Sequence, residues 1–274
     1  MVGGGYLYAD IPSEGFVFPS DAVYSAAVVA FLSYVYILGL QSVPKTTKPH
    51  IHKDKLFAHA WANEVASLVN SVILAVWSIA LFVCSYTHPT FTKAYTRSMV
   101  VWFAAYNVYD IIGCSMYHAS LFRESPTLVL HHAVVLSGLV YSLHNTYFLW
   151  HMVLATLCEA NSVVLHIKCL VRMRASRATT AAPPTLLGYD LRTHVLDPLM
   201  YITHVVFRFD TSFWLWWSSI PLGERDRHFD TSACPWFPMA TLYLALNVLT
   251  SYYMVRGVLR RKDRAKEKEP KKVE

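Results

Sequence analysis

The sequence predicts an all-α fold, a polytopic bundle of about seven transmembrane helices. Of the 274 residues, 54% are hydrophobic and only 15% are charged, whereas soluble domains carry about 25% charged residues. The apolar residues also lie in long runs, each close to the ~20 residues with which a helix crosses a bilayer. These runs occupy residues 22–40, 62–84, 98–118, 127–144, 147–168, 195–219 and 236–256. The fourth is short and the fifth follows after a very tight turn, so we expect these two to form a helical hairpin.

The distribution of positive charge predicts the orientation of these spans. If the N-terminus lies outside the cytoplasm, 19 of the 24 Lys and Arg residues fall in cytoplasmic segments, as the positive-inside rule requires. A basic tail can also indicate nucleic-acid binding, but a solvated tail beside the membrane accounts for the same residues. We therefore expect an integral membrane protein with a lumenal N-terminus, a cytoplasmic C-terminus and no nucleic-acid partner.

This orientation divides the chain into four parts. They are a lumenal N-terminal segment (1–21), the first span with a cytoplasmic loop (22–57), a larger transmembrane domain (58–258) and a basic cytoplasmic tail (259–274). The N-terminal segment has no basic region before its first apolar run, which favours an uncleaved anchor over a signal peptide.

The last four residues resemble an address for the endoplasmic reticulum. Lys271 and Lys272 occupy the fourth-last and third-last positions, as in the dilysine signal by which receptors return membrane proteins to that compartment. A lysine-rich tail also produces such a pair by chance, and both explanations stay open. The first predicts retrieval machinery as a partner and the endoplasmic reticulum as the location.

Polar side chains recur inside the apolar runs at helical spacing. Ionisable groups at bilayer depth are costly, so they face other helices or a polar cavity, and residues three, four and seven apart share a helix face. The stripes are Asn63 and Ser67 in the second span, Asn107 and Asp110 in the third, His151, Glu159, Ser162 and His166 in the fifth, and Asp197, Tyr201, His204 and Arg208 in the sixth. The simplest packing turns all these faces toward one polar interior.

Depth brings several of these groups together. In the assigned orientation, His131 and His132 lie close to the cytoplasmic end of the fourth span. Asp110 and Glu159 lie roughly 12–14 Å from the cytoplasmic ends of their spans, at 1.5 Å per residue. We therefore expect a cavity in the cytoplasmic half of the membrane.

The paired histidines His131 and His132 allow several uses. Adjacent helical residues point about 100° apart, so we expect one ring to face the cavity and the other to pack against a neighbour. An imidazole beside a buried carboxylate can act as a general base. Clustered His and carboxylate can also bind a metal, but the helices carry no His-x3-His or Glu-x2-His pair, so we expect no metal. The alternative is structural, since polar side chains join membrane helices with about 0.6–2 kcal/mol per hydrogen bond.

Four stretches of the spans resemble the TLC-domain family, whose multi-pass members in the endoplasmic reticulum include the ceramide synthases. They are AAYNVYDII in the third span, the double His of the fourth, CEANS in the fifth and VVFRFD in the sixth. The order and spacing of these motifs, rather than any single one, make the resemblance specific. It covers roughly residues 58–258 and implies a TLC-type helix bundle.

The resemblance also implies a function, and the chain departs from it at one motif. In ceramide synthases the double His belongs to the acyl-transfer site, a role that would fall on His131 and His132 with acyl-CoA as the substrate. Those enzymes carry His-Asp-x-x-Ser-Asp on the next helix, where this chain reads CEANS and keeps one carboxylate. The chain is therefore more similar to the non-synthase branches, which are implicated in lipid sensing, lipid transport or control of phospholipid composition.

We favour a protein that binds, senses or moves lipid and so influences membrane lipid composition. The expected lipid-binding residues are Asn107, Asp110, Glu159, Ser162, His166, His204 and Arg208. The alternative is an acyltransferase in which His131 or His132 is the catalytic base and Asp110 or Glu159 orients it. A retinal protein is excluded because residues 236–255 contain no Lys, while a proton pathway stays open. We expect a membrane lipid or acyl chain as partner, no cofactor, and leave a homodimer open.

Overall fold

The structure is a computed structural model that describes residues 19–44, 51–85, 89–117, 126–144, 149–177, 185–186, 189–218 and 236–267. The predicted helical bundle is confirmed in these residues. Most of the predicted N-terminal segment, and Lys271 and Lys272 with it, lie outside them, so the predictions made there stay predictions.

Each predicted span coincides with one helix or with several consecutive helices. They are α1 (Pro19–Gln41), α2 (Ile51–Cys84), α3 (Pro89–Tyr117), α4 (Pro126–His144), α5 (Leu149–Thr156) and α6 (Glu159–Arg177). A two-stranded antiparallel hairpin, β1 (Thr185–Leu186) with β2 (Tyr189–Asp190), comes next. It is followed by a π-helix, π1 (Leu191–Leu196), then α7 (Asp197–Thr203), a second π-helix, π2 (His204–Phe209), α8 (Asp210–Ser218) and α9 (Trp236–Glu267). Among the described residues, three segments are long and apolar enough to cross a membrane: Ser20–Gln41, Lys55–Cys84 and His151–Arg177.

Polar contacts at the two ends of the bundle show that the first helices alternate in direction. At one end, Arg97 near the start of α3 pairs with Asp21 at the start of α1 (2.6 Å) and donates to the carbonyl of Leu143 at the end of α4. At the other end, Tyr36 of α1 contacts His59 of α2 through its hydroxyl, 2.5 Å from Nδ1. Helices α1 and α2 are therefore antiparallel, and so are α3 and α4.

The bundle has apolar side chains both in its core and on its outer surface. The core draws on Val28, Leu32, Leu74, Met99, Leu139, Val153, Leu215 and Tyr243. On α2, an outward stripe at Val72, Val76, Ile79 and Val83 is 42 to 64% exposed, while Ser67, Asn70, Ser71 and Ser78 are buried. A helix surrounded by lipid needs this inverted arrangement, because lipid cannot hydrogen-bond with polar groups.

The fifth predicted span, 147–168, is two helices and not one. The turn at Leu157 and Cys158 is tightened: the N–H of Cys158 bonds to the carbonyl of Ala155, and that of Asn161 bonds back to Cys158. Such i→i−3 bonds shift the faces of a helix relative to a regular α-helix. The sequence had suggested one continuous polar stripe through this span. Because of the tightened turn, side chains before and after residue 158 do not share one helix face.

Gly39 lies at a close approach of α1 to α2. A Cβ built at Gly39 would lie 2.8 Å from Cα of Ala62, whereas one at Gly113 of α3 would meet its nearest heavy atom, Asn63 Oδ1, at 3.7 Å. Small residues allow membrane helices to pack at such short range.

Gly39→Ala is therefore expected to lower the free energy of unfolding by about 1–3 kcal/mol through overpacking. Gly113→Ala, the matched control, should leave it unchanged or raise it by up to ~1 kcal/mol, because alanine is the better helix former. Unfolding of the purified protein in detergent by increasing SDS measures both. Equal changes for the two variants would show that the contact with Ala62 is not limiting.

Candidate functional site

A cavity of about 470 Å³ lies between the helices, and we call it the polar chamber. Its wall comes from α2, α3, α4, α6, π2 and α9. The polar side chains on it include Asn63, Glu64, Ser67, Tyr106, Asn107, Asp110, His131, His132, Glu159, Ser162, His166 and Arg208. The structure thus brings all the sequence-predicted site residues except His204 to one cavity, while their role in binding stays a prediction.

His132 is held between α3 residues through both ring nitrogens. Its Nε2 lies 3.0 Å from Asp110 Oδ2, and its Nδ1 lies 3.0 Å from Asn107 Oδ1. The amide nitrogen of Asn107 donates to the carbonyl of Phe103 at 2.8 Å, which fixes the amide orientation. Nδ1 must therefore donate to Asn107, and a proton is shared between Nε2 and the Asp110 carboxyl.

This geometry leaves His132 without a lone pair for another proton. Asp110 is further fixed by Asn63, whose amide donates to Oδ1 at 3.3 Å. His132 therefore links α4 to α3 and shapes the wall of the chamber. It is poorly placed to act as the general base that the sequence had allowed.

His131 has a different environment. Its ring stacks on Tyr243 of α9, with centroids 6.0 Å apart, and meets the edge of His132 at 5.7 Å. Among the described residues, no hydrogen-bonding group engages its ring nitrogens. One ring was expected to pack against a neighbour, as His131 does against Tyr243, but both rings also line the chamber. The chamber is wide enough to reach two side chains that point in different directions.

Glu159 and His166 both face α2. Glu159 begins α6 and accepts a hydrogen bond from Ser71 of α2 at 2.6 Å, and a helix N-terminus favours such a carboxylate. Further along α6, Nδ1 of His166 lies 2.8 Å from Glu64 Oε2. Glu64 was not among the site residues predicted from the sequence, although a charged residue within the apolar second run is itself a signal of a polar site.

Arg208 and His204 share the π2 segment but meet different neighbours. Arg208 lines the chamber and donates from Nη2 to Ser162 Oγ at 3.0 Å. His204 is buried, with Nε2 2.7 Å from Ser251 of α9, and is not part of the chamber wall. The π-helical turn is shown by the N–H of Asp210, which bonds five residues back to Val205. Such π-segments often occur at functional sites.

His151 and Asp197, predicted on polar stripes, lie away from the chamber. The ring of His151 lies 6.4 Å from that of Trp214, because the tightened turn at residue 158 separates it from Glu159. Asp197 forms an ion pair with Lys168 at 2.5 Å. Within the described ranges, no group of three His, Cys, Asp or Glu side chains is placed to hold a metal ion.

A smaller apolar pocket of about 50 Å³ adjoins the polar chamber. The two share Phe103, His131, Val135 and Glu159. The rest of its wall is mainly apolar and includes Val134, Gly138, Leu139, Met152, Leu215 and Met239. Small-molecule sites of ~300–1,000 Å³ typically combine apolar walls with a few polar groups. The two adjoining cavities, one polar and one apolar, match the two-part chemistry of an amphiphile.

The fold and the site together define a helical membrane protein with a polar cavity inside its bundle. Residues 60–256 match the TLC domain family, and the chain belongs to this family, as the sequence motifs predicted. It is similar to "TLC domain-containing protein 2" of Danio rerio, with 25% identity over 263 residues that cover 89% of this chain and 94% of that protein. No solved structure matches the chain.

Proposed function

We propose that this chain is a multi-pass protein of the endoplasmic reticulum that binds, senses or moves membrane lipid and so influences membrane lipid composition. The observation that carries the proposal is the polar chamber with an apolar pocket adjoining it. A headgroup or acyl carbonyl would meet the polar wall, and part of a chain would enter the pocket. The seven apolar runs support seven crossings, the charge distribution supports a cytoplasmic C-terminus, and Lys271 and Lys272 support the location.

The second candidate is an acyl-CoA-dependent acyltransferase, and one observation favours it. The ring nitrogens of His131 are unengaged among the described residues, and His131 lies where the chamber and the pocket meet. An imidazole placed there could take a proton from an acceptor. His132 has both ring nitrogens engaged and would have a structural role in the chamber wall. Transfer of a labelled acyl chain by the purified protein, abolished by His131→Ala, would support this candidate.

Gly138→Leu is expected to reduce the lipid that purifies with the protein. Gly138 lines the apolar pocket, and a Cβ there would meet its nearest heavy atom, Met152 Cε, only at 4.0 Å. A leucine can therefore be placed without a backbone clash, and its side chain would fill the space proposed for a chain. Native mass spectrometry of protein released from mild detergent measures the bound fraction.

Ala133→Leu is the matched control, because Ala133 is an exposed residue of the same helix. It adds an apolar side chain on the outer surface and should leave the bound fraction unchanged. Equal lipid content in wild type and Gly138→Leu, with both variants folded, would argue against the pocket as the lipid site. Absence of any lipid from the wild-type protein would argue against the proposed function itself.

A further inference from the structure

The charge of Arg208 is not balanced by a neighbouring carboxylate. Its Nη2 donates to the neutral hydroxyl of Ser162, and its Nε is buried with no hydrogen-bond partner among the described residues. No carboxylate oxygen of the residues that the structure describes lies within 4.0 Å of the Arg208 guanidinium. A buried or membrane-embedded cation is costly unless it is paired with an anion.

The carboxylates of the chamber are each engaged elsewhere. Asp110 contacts His132 and Asn63, and Glu64 contacts His166. Glu159 accepts hydrogen bonds from Ser71 of α2 and from the thiol of Cys158. Each of these carboxylates therefore has hydrogen-bonding partners other than Arg208, and among the described residues the guanidinium donates to one neutral hydroxyl and to no carboxylate.

We infer that Arg208 binds the oxyanion of an amphiphile, a carboxylate or a phosphate, whose chain extends toward the apolar pocket. This rests on the proposed function and adds the class of its ligand. The planar guanidinium is suited to both anions, because its N–H groups can donate in parallel to two oxygens. Ser162 holds Nη2, and π2 sets the position of the side chain, so the group is oriented before a ligand arrives. A neutral lipid would leave the charge unbalanced.

The test uses the purified full-length protein and three lipids with the same oleoyl chain. They are oleate, with a carboxylate; 1-oleoyl lysophosphatidate, with a phosphate; and monoolein, which is neutral. We expect the wild type to bind at least one of the two anions more tightly than monoolein in titrations followed by native mass spectrometry. Which anion binds identifies the headgroup. Arg208→Gln should weaken that anion's binding by roughly 30-fold or more and leave monoolein binding unchanged.

Two further variants make the result specific. Arg172→Gln removes the same charge from an exposed position on α6 and should leave anion binding unchanged. Arg208→Lys keeps the charge but loses the paired donors, so it should give an intermediate loss. If Arg208→Gln does not fold, the wild-type preference and the Arg208→Lys result decide.

Two results would overturn the inference. One is equal wild-type binding of all three lipids, and the other is anion binding that survives Arg208→Gln. In both cases lipid binding that is lost in Gly138→Leu would leave the proposed function standing. Binding of none of the three lipids, together with no lipid in the purified protein, would overturn both.

Discussion

Asp110→Ala is expected to lower the free energy of unfolding by about 3–5 kcal/mol, the cost of leaving one member of a buried polar pair without its partner. Asp110 and His132 are only 6% and 15% exposed in their side chains and lie 3.0 Å apart. Removal of the carboxylate would leave Nε2 of His132 facing a cavity without its acceptor. It would also release the Asn63 amide that donates to Asp110. SDS-induced unfolding in mixed micelles measures the loss.

A double-mutant cycle separates the pair from its surroundings. Asp110→Ala and His132→Ala, combined, should cost less than the two single changes added together, by at least ~1 kcal/mol. Asp21→Ala is a matched control, since Asp21 forms an ion pair with Arg97 nearer the end of the bundle, with side chains 18% and 23% exposed. It should destabilise the protein less. Additive effects at Asp110 and His132 would mean that their contact contributes little to stability.

Helical spacing predicted most of the polar side chains that meet in the chamber. Asn107 and Asp110 are three residues apart on α3, and both are buried on its inner face. Glu159 and Ser162 have the same spacing on α6. A polar side chain on a membrane helix is costly where it faces lipid. The positions of polar residues along such a helix therefore predict which of its faces points into the bundle.

Local backbone geometry and pair choice could not be predicted in this way. The stripe through His151 assumed a regular helix, and the tightened turn at Cys158 ended it. The predicted stripe through His204 and Arg208 also assumed a regular α-helix. In the π-helix π2, however, His204 contacts Ser251 and Arg208 contacts Ser162. Such departures depend on how neighbouring helices pack, which the periodicity of one helix does not contain.

Pairing across the chain has the same limitation. His166 and Glu64 are 102 residues apart, and nothing in either helix alone selects the other as its partner. Lys168 is one of the 19 Lys and Arg residues that the predicted orientation assigns to cytoplasmic segments. In the structure it is buried and paired with Asp197. The positive-inside rule is a statistical sum over many residues, so one buried lysine does not alter its result.

Asp197→Asn is expected to destabilise the protein by about 3 kcal/mol, because it removes the charge that balances Lys168 with almost no change of shape. Lys168 is only 5% exposed, and its Nζ also lies 3.6 Å from the sulfur of Met200. A thioether is a weak acceptor and cannot replace the carboxylate. The pair joins α6 to the start of α7, the segment that leads into π2 and Arg208. SDS-induced unfolding again measures the stability.

A second change at Lys168 should reverse most of this loss. Lys168→Met removes the buried charge and keeps an unbranched side chain of similar length, so the double variant is expected to recover at least half of the stability lost in Asp197→Asn. Replacing both members of a buried ion pair with uncharged groups is often neutral. If the double variant is less stable than Asp197→Asn alone, the ammonium of Lys168 must have another essential contact. Because π2 follows directly from α7, recovery of stability without recovery of anion binding would indicate that the ion pair also positions Arg208.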